Sequence, residues 1–340
     1  MEKDSRVYIV GHRGLVGSAL MRRCQTEGYN NLITRTKAEL DLTDNVRVMA
    51  FFRKEMPEYV FLAAARVGGI LANQTYPAEF IYSNLMIQTS VLHAAYRYGV
   101  KRLIFFGSSC AYPKNCVQPM KEENLLSGYL ESSSEPYAIA KIAGIKMCEA
   151  YNRQYGTNFI SVIPATLYGP NDNFDLQSSH VLSALIRKFH EGKLRQEEQA
   201  HGKSSSGTAS VGLQYHGRNS VSIWGTGSPK REFLYVDDLA DACFFLMNLD
   251  ASLLASVIQY PTSIINISTG EGITIRDLAL LAKDIIGYQG ELFFDLTKPD
   301  GAERKVLDVS KSRRLGWIPK VSIEEGIRRT YKWYLKCGHR

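Results

Sequence analysis

The chain has 340 residues, of which 45% are hydrophobic and 22% are charged, and its formal net charge is +7. This length and composition predict one large α/β unit, or a main domain with a smaller cap. The basic residues are spread along the chain and form no run typical of a nucleic-acid-binding arm, so we expect no nucleic-acid partner. A phosphorylated small substrate accounts for the positive charge equally well.

The chain opens on charged residues without an apolar signal segment, and no stretch is long enough to cross a membrane. Its six cysteines form no C-x-x-C pair, which excludes the common zinc and thioredoxin-type motifs. We therefore expect a cytoplasmic protein with reduced thiols, no membrane partner and no metal site. Cys110 alone lies beside a candidate catalytic serine.

Strand-like apolar runs alternate with amphipathic stretches of helix length through the first half of the chain. The runs fall at 7–10, 31–34, 59–62, 103–106 and 159–163, and the helical stretches at 15–27, 44–55, 78–98 and 137–155. This alternation predicts an α/β fold of Rossmann type, a doubly wound parallel sheet with helices on both faces.

Beyond about residue 170 the alternation fails, and isolated strands such as 221–224 and 264–267 mix with shorter helices. We expect residues 1–175 to form the sheet domain, with part of 225–270 returning to it, and 176–335 to form mainly a smaller, mixed α/β substrate-binding domain. The segment 195–220 is rich in Gly, Ser, Gln and His, which predicts a long mobile surface loop.

Three glycines follow the first predicted strand, in Gly11-His12-Arg13-Gly14-Leu15-Val16-Gly17, and a helix pattern follows them. Strand, glycine-rich turn and helix in this order suit a dinucleotide pyrophosphate, because the backbone turns tightly and the N–H groups at the helix start face the anion.

The cofactor prediction is NADP(H). The second predicted strand ends without the acid that usually binds the ribose of NAD, and Arg13 with Arg35 can clamp a 2′-phosphate. Alternatively, both arginines are solvated loop residues. Asp41 and Leu42 follow at a distance suited to the adenine edge, and Ala63 provides a small side chain near the ribose and pyrophosphate.

Tyr137 and Lys141 stand four residues apart on a predicted helix, downstream of Ser108 at the end of the fourth strand. The spacing places both on one face, where the ammonium can hold the phenol near ionisation and make it a proton donor. The alternative is a core tyrosine beside a lysine that extends to the surface.

With these motifs in order, the chain resembles the extended short-chain dehydrogenases/reductases, and within them the family of GDP-L-fucose synthases. The resemblance runs from about residue 5 to 335. It rests on the glycine turn, Ala63-Ala-Ala-Arg-Val-Gly-Gly69, Gly107-Ser-Ser-Cys-Ala-Tyr-Pro113, Glu135-Pro-Tyr-Ala-Ile-Ala-Lys141, Leu167-Tyr-Gly-Pro-Asn-Asp-Asn-Phe174 and Lys298-Pro-Asp-Gly301. The segment between His180 and Trp224 is longer than that family leads us to expect, by roughly twenty residues.

The resemblance implies an NADPH-dependent C3/C5 epimerase and C4 reductase that converts GDP-4-keto-6-deoxy-D-mannose to GDP-L-fucose. It implies that Ser108 binds the C4 carbonyl, that Tyr137 protonates it, and that Lys141 binds the cofactor's ribose. It further implies that Cys110 and His180 are the acid/base pair at C3 and C5. Pro164, Leu167 and His180 would contact the cofactor, and the GDP group would be held by Lys188, Trp224, Arg231 and Asp300. A homodimer through 78–98 and 137–155 is usual in this fold.

Alternatives remain open at this stage. Cys110 can be a small buried hydrophobe, His180 a residue at a helix start, and Trp224 a packed aromatic. The function can be that of another extended-family nucleotide-sugar enzyme, a 4-epimerase or a 4,6-dehydratase, or of a non-catalytic NADP-binding protein.

Overall fold

The structure is a computed structural model that describes residues 1–201, 220–258, 263–298 and 300–337. Its central feature in these residues is a six-stranded sheet with the order β10-β5-β4-β3-β1-β2, in which each neighbouring pair is parallel. The strands are β1 (Val7–Val10), β2 (Leu32–Ile33), β3 (Tyr59–Leu62), β4 (Arg102–Phe106), β5 (Phe159–Pro164) and β10 (Ile264–Ile267). The predicted Rossmann-type fold is confirmed.

Helices cover both faces of this sheet. They are α1 (Leu15–Thr26), α2 (Asn45–Glu55), α3 (Ile70–Thr75), α4 (Pro77–Arg97), α5 (Glu135–Tyr155), α7 (Val236–Asn248), α8 (Ala251–Val257) and α10 (Ser310–Leu315). Three short 3-10 helices, Ser109–Ala111, Glu122–Asn124 and Ser132–Ser134, lie between β4 and α5.

Burial on both faces explains why the strands read as continuous apolar runs. Every residue of β1, β4, β5 and β10 is buried, as expected for a parallel sheet covered by helices. The residues that follow β1 to β5 meet at one edge of the sheet, because the carboxyl ends of parallel strands share that edge. The glycine turn, Arg35, Ala63 and Ser108 all follow these strand ends.

Smaller sheets and a second group of helices form the rest of the described chain. These elements are β6 (Thr166–Tyr168), β7 (Ser220–Trp224), β8 (Lys230–Arg231), β9 (Phe233–Tyr235), β11 (Ile273–Thr274), β12 (Glu291–Asp295), β13 (Arg304–Lys305), α6 (Val181–Ala200), α9 (Ile275–Ile286) and α11 (Ile323–Cys337). Strand β7 pairs with β12, β6 with β9, and β8 with both β11 and β13. Apolar side chains of α6, α9, α11 and β7 form a second hydrophobic cluster, separate from the one around the large sheet.

The predicted loop 195–220 is wrong at both ends. Residues 195–200 continue α6, and Ser220 begins β7. The helix continues because its first half is anchored by buried Leu182, Ile186 and Phe189, and its last turns are rich in good helix formers. Residues 202–219 lie outside the described part of the chain.

Among the described residues, none of the helices is by itself long and apolar enough to cross a membrane. Helices α7 and α8, which meet at a bend of 113°, meet the criteria of length and composition only as a pair.

Candidate functional site

The glycine turn joins β1 to α1 with very little free space around it. Gly11 has a φ of +83°, and a Cβ added to it would lie 2.9 Å from the Ala64 backbone. A Cβ on Gly17 would lie 2.1 Å from the Gly11 carbonyl oxygen, so the helix starts directly against the turn. Gly14, in extended conformation, precedes the helix without a capping side chain. This leaves the N–H groups at the helix start for an anion, and the geometry fits a dinucleotide pyrophosphate.

Arg13 is exposed on this turn, whereas Arg35 is held in place after β2. The Nη2 of Arg35 donates a hydrogen bond to Oε1 of Glu55 at 2.7 Å. Glu39 accepts hydrogen bonds from the Thr36 backbone and hydroxyl, which are the main reason its pKa is lowered, and it lies within electrostatic reach of both arginines. Acidic groups thus stand beside the predicted phosphate clamp, contrary to the expectation that none would.

The remaining residues predicted to contact the cofactor line the same edge of the sheet. The Ala63 N–H bonds the Val10 carbonyl at the end of β1, and Pro164 ends β5. Leu167 lies in β6, directly after that strand. The Asp41 carboxylate accepts from the Thr43 backbone and hydroxyl, which holds its pKa below its usual range. It therefore shapes the turn before α2, and neighbouring Leu42 packs on the main core.

Ser108, Tyr137 and Lys141 come together between the end of β4 and the start of α5. The Tyr137 hydroxyl hydrogen-bonds the Ser108 side chain. Lys141, only 4% exposed, donates from Nζ to the Phe106 carbonyl at 2.8 Å, and its Nζ lies 5.8 Å from the centre of the Tyr137 ring. Phe80 of α4 contacts the same ring edge to face, with 6.4 Å between centroids. The phenol is thus fixed from both sides.

Burial controls the pKa values of this pair. Burial raises the pKa of Tyr137. Cys110 raises this pKa further, whereas the hydrogen bond with Ser108 lowers it. Burial also lowers the pKa of Lys141 to about 8. The sequence predicted a phenol held near ionisation by the ammonium. In the structure the ammonium points to the Phe106 carbonyl and desolvation dominates, so Tyr137 is a neutral hydroxyl that holds a proton to donate.

Cys110 lies on the same 3-10 helix that Ser108 begins. Its N–H donates to Ser108 Oγ at 3.2 Å, its side chain is partly buried and free, and it is close enough to influence the pKa of Tyr137. The structure therefore brings Cys110 together with Ser108 and Tyr137.

His180 is the exposed residue that precedes α6, and in the described chain no hydrogen bond joins it to Cys110 or Tyr137. Its neighbour is Asp172, whose pKa is raised by burial and lowered in part by His180. Asp172 accepts a hydrogen bond from Ser183 in the first turn of α6. The carboxylate thus links the loop after β6 to the helix that follows His180.

The four residues predicted to hold the GDP group gather around the end of β7. Lys188 Nζ donates to the Ser222 carbonyl at 2.9 Å, and burial lowers its pKa. Trp224, the last residue of the strand, is 61% exposed. Asp300 accepts from the Thr226 N–H at 2.9 Å, and it also acts on the pKa of Arg231, which burial lowers. A ring, two cations and a carboxylate thus surround one surface. Lys188 lies eight residues along α6 from His180, or about 12 Å.

Other side chains at the site carried no signal that would have identified them from sequence. Asn84, in α4, accepts from the Arg66 N–H and donates to the Arg66 carbonyl, and so fixes the loop after β3. Asn73 and Ser179 each keep a buried side-chain oxygen without a partner in the described chain, beside the contact between the Gly69 N–H and the Ser178 carbonyl. Only the tertiary contacts distinguish these residues from other asparagines and serines.

The chain is similar to known proteins over nearly its whole length. The model of the "NAD dependent epimerase/dehydratase family" matches residues 7–257. GDP-L-fucose synthase 1 of Arabidopsis thaliana is 51% identical, with 98% of this chain and 94% of the relative covered. GDP-L-fucose synthase of Escherichia coli (strain K12) is 47% identical, with 97% of each covered.

Among solved structures, MlghC, a GDP-mannoheptose C4 reductase from Campylobacter jejuni with NADP bound, is 42% identical. The TM-score is 0.85, and the match covers 98% of this chain and 99% of the MlghC chain. The resemblance noted from the motifs is confirmed: the chain belongs to the NAD dependent epimerase/dehydratase family, and within it to the family of GDP-L-fucose synthases.

Proposed function

We propose that this chain converts GDP-4-keto-6-deoxy-D-mannose to GDP-L-fucose in an NADPH-dependent reaction, by epimerisation at C3 and C5 followed by reduction at C4. The observation that carries the proposal is the arrangement of Ser108, Cys110 and Tyr137 at one edge of the sheet, in a chain 51% identical to a GDP-L-fucose synthase. A carbonyl held there meets a hydrogen-bond donor, a proton donor and a thiol.

Epimerisation uses the acidity of carbon-bound protons next to a ketone. Ser108 and Tyr137 donate hydrogen bonds to the C4 oxygen and stabilise the enolate charge that develops when a proton leaves C3 or C5. Cys110 and His180 remove and return these protons, and return on the opposite face inverts the carbon. Asp172 lies within electrostatic reach of His180 at the start of α6.

Reduction uses the same carbonyl. The glycine turn would hold the pyrophosphate of NADPH, which would supply the hydride for C4 when bound. Tyr137 gives its proton to the C4 oxygen, and its raised pKa keeps it protonated until charge develops there. Lys141 lies next to the phenol as a cation at neutral pH and stabilises the phenolate that remains.

The GDP group is held at the end of β7. The Arg231 guanidinium suits the diphosphate because it can bind two oxygens at once, and Lys188 adds a second cation. Trp224 offers an exposed ring for the base. The roughly 12 Å along α6 between His180 and Lys188 allows the sugar and the nucleotide to be held by the two ends of one helix.

The two hydrophobic clusters support a division into two domains, although Leu307, Leu315 and Trp317 join the larger cluster and Tyr168 joins the smaller one. Residues 1–175, with part of 225–270, form the NADP-binding domain, and 176–335 form mainly the substrate-binding domain. The larger cluster draws on both ranges of the first domain, and the smaller draws on α6, α9, α11 and β7. The site lies where residues of the two domains meet.

The active form is a homodimer through α4 and α5, and the protein acts in the cytoplasm. Tyr82 on α4 and Ile139 on α5 are 62% and 42% exposed, which supports an interface there. All six cysteines are free, and three of them are fully buried, which supports a reducing compartment.

The test is to incubate the protein with NADPH and GDP-4-keto-6-deoxy-D-mannose and to identify the sugar product by NMR. We expect GDP-L-fucose with one NADPH oxidised per product. A second candidate, suggested by the similarity to a C4 reductase, is reduction without epimerisation, which gives a GDP-6-deoxyhexose unchanged at C3 and C5. Product formed without NADPH oxidation would contradict both.

A further inference from the structure

The Arg35 guanidinium is held by three neighbours. Its Nη2 donates to Glu55 Oε1 and its Nη1 to the Thr34 carbonyl, each at 2.7 Å. Its flat face lies over the Phe51 ring, with 5.1 Å from Cζ to the ring centroid. These contacts fix both the plane of the group and its rotation within that plane.

Glu55 is poorly placed to stabilise its own helix. It is the last residue of α2, where the free backbone carbonyls favour cations and disfavour acids. Its ion pair with Arg35 is partly exposed, with side chains 32% and 23% accessible, and such pairs add little to stability. The effect of Glu55 is therefore on the direction in which the guanidinium points.

A phosphate is bound best by two parallel N–H groups of one guanidinium. The contacts with Glu55 and Thr34 use two of the five N–H groups of Arg35 and leave three for an anion. Arg13, exposed on the glycine turn, lies like Arg35 within electrostatic reach of Glu39.

We propose that Glu55 is a positioning residue for cofactor selection: it holds Arg35, against the face of Phe51, in the orientation that binds the 2′-phosphate of NADPH. The inference rests on the proposed NADPH dependence. A guanidinium released from Glu55 loses this orientation, so the preference for NADPH over NADH falls although neither cofactor touches Glu55.

The experiment measures dissociation constants for NADPH and NADH by titration calorimetry, with no turnover required. The variants are Glu55→Ala, which removes the acceptor, and Glu55→Gln, which removes the charge but keeps an acceptor oxygen. Glu58→Ala is the matched control, because Glu58 is 24% accessible and pairs with Lys101, away from Arg35. Arg35→Ala shows the full effect of losing the guanidinium, which should lower the NADPH/NADH preference about ten- to a hundredfold.

We expect Glu55→Ala to lower the NADPH/NADH preference about five- to tenfold, with NADH affinity changed less than about twofold. Glu55→Gln and Glu58→Ala should stay within about twofold of the wild type. Phe51→Leu, which removes the stacked ring, should lower the preference in the same direction, and it tests the inference independently if Glu55→Ala does not fold.

Three results would overturn the inference. In the first, the NADPH/NADH preference of Glu55→Ala is unchanged. In the second, the preference rises, because relief of charge repulsion outweighs the loss of orientation. In the third, the affinities for NADPH and NADH fall equally, because the local fold is lost. A wild-type protein that binds both cofactors equally would instead refute the NADPH assignment itself, so the two failures are distinguishable.

Discussion

Replacing the sulfur atom of Cys110 should separate the two proposed reactions, epimerisation and reduction. Cys110→Ser keeps the shape of the side chain but replaces the thiol with a hydroxyl, which gives up its proton far less readily. The variant should still oxidise NADPH and give an unepimerised GDP-6-deoxyhexose. Deuterium wash-in at C3 and C5 from D₂O, measured by NMR, should fall at least about a hundredfold.

Two controls define that result. Cys116→Ser changes a nearby free, partly buried cysteine and should leave exchange unchanged. Tyr137→Phe should slow reduction by about a hundred- to ten-thousandfold, because no proton reaches the C4 oxygen. Normal exchange in Cys110→Ser would make Cys110 a packing residue and would remove the main mechanistic support for epimerisation.

The buried ammonium of Lys141 should lower the free energy of unfolding at neutral pH, although the reduction depends on it. Burial lowers its pKa from 10.5 to about 8, so below pH 8 both the folded and the unfolded state are charged and folding bears the desolvation cost, about 3 kcal/mol. Between pH 8 and 10.5 the folded state loses its proton first, the unfolded state binds more protons, and stability rises with pH.

The Lys141→Met variant should therefore be more stable than the wild type at pH 7. We expect about 1–2 kcal/mol, because loss of the bond to the Phe106 carbonyl offsets part of the gain. The gain should shrink between pH 8 and 10.5 in urea unfolding, and reduction should be lost. A variant less stable than the wild type at pH 7 would show that the hydrogen bond outweighs the desolvation.

At the scale of elements, the glycine turn offers a matched pair of substitutions. A Cβ at Gly17 would lie 2.1 Å from the Gly11 carbonyl oxygen, which is backbone and cannot move cheaply, whereas a Cβ at Gly14 has one neighbour at 3.6 Å. Gly17→Ala should cost about 1–3 kcal/mol of unfolding free energy and separate α1 from β1. Gly14→Ala should stay within about 0.5 kcal/mol, and equal losses in urea unfolding would contradict the packing argument.

The element scale also shows where sequence patterns were sufficient. The strands at 7–10, 59–62 and 264–267 match the structure to the residue, because burial on both faces makes these strands mainly apolar. The end of α6 was missed because its last turns are polar, and a polar helix and a loop look alike when composition is the only signal.

At the scale of the whole molecule, the prediction concerns assembly. Light scattering after size exclusion should give twice the mass of the chain. Tyr82→Glu and Ile139→Glu place charges on the exposed faces of α4 and α5 and should give monomers. Leu335→Glu, on an apolar residue of α11 that is 53% exposed, is the control and should remain dimeric. A dimer that survives both substitutions would place the interface elsewhere.

The sequence by itself determined the order of the main elements up to about residue 170, the parallel sheet, the glycine turn and the pairing of Tyr137 with Lys141. Each of these follows from the spacing of residues along the chain: apolar runs, glycines before a helix, and side chains four apart on one helix face. Local spacing was also sufficient to place Ser108 and Cys110 after β4, since a strand end and the turn that follows it are contiguous in the chain.

Only the tertiary structure decided which partners these groups have. Lys141 binds the Phe106 carbonyl 35 residues away, Arg35 binds Glu55 20 residues away, and Asp172 lies beside His180 through the start of α6. Such contacts depend on how separate elements pack, and a single sequence carries no local signal for them. The same is true of desolvation, which set the pKa values of Tyr137 and Lys141 and which exists only once the chain has folded.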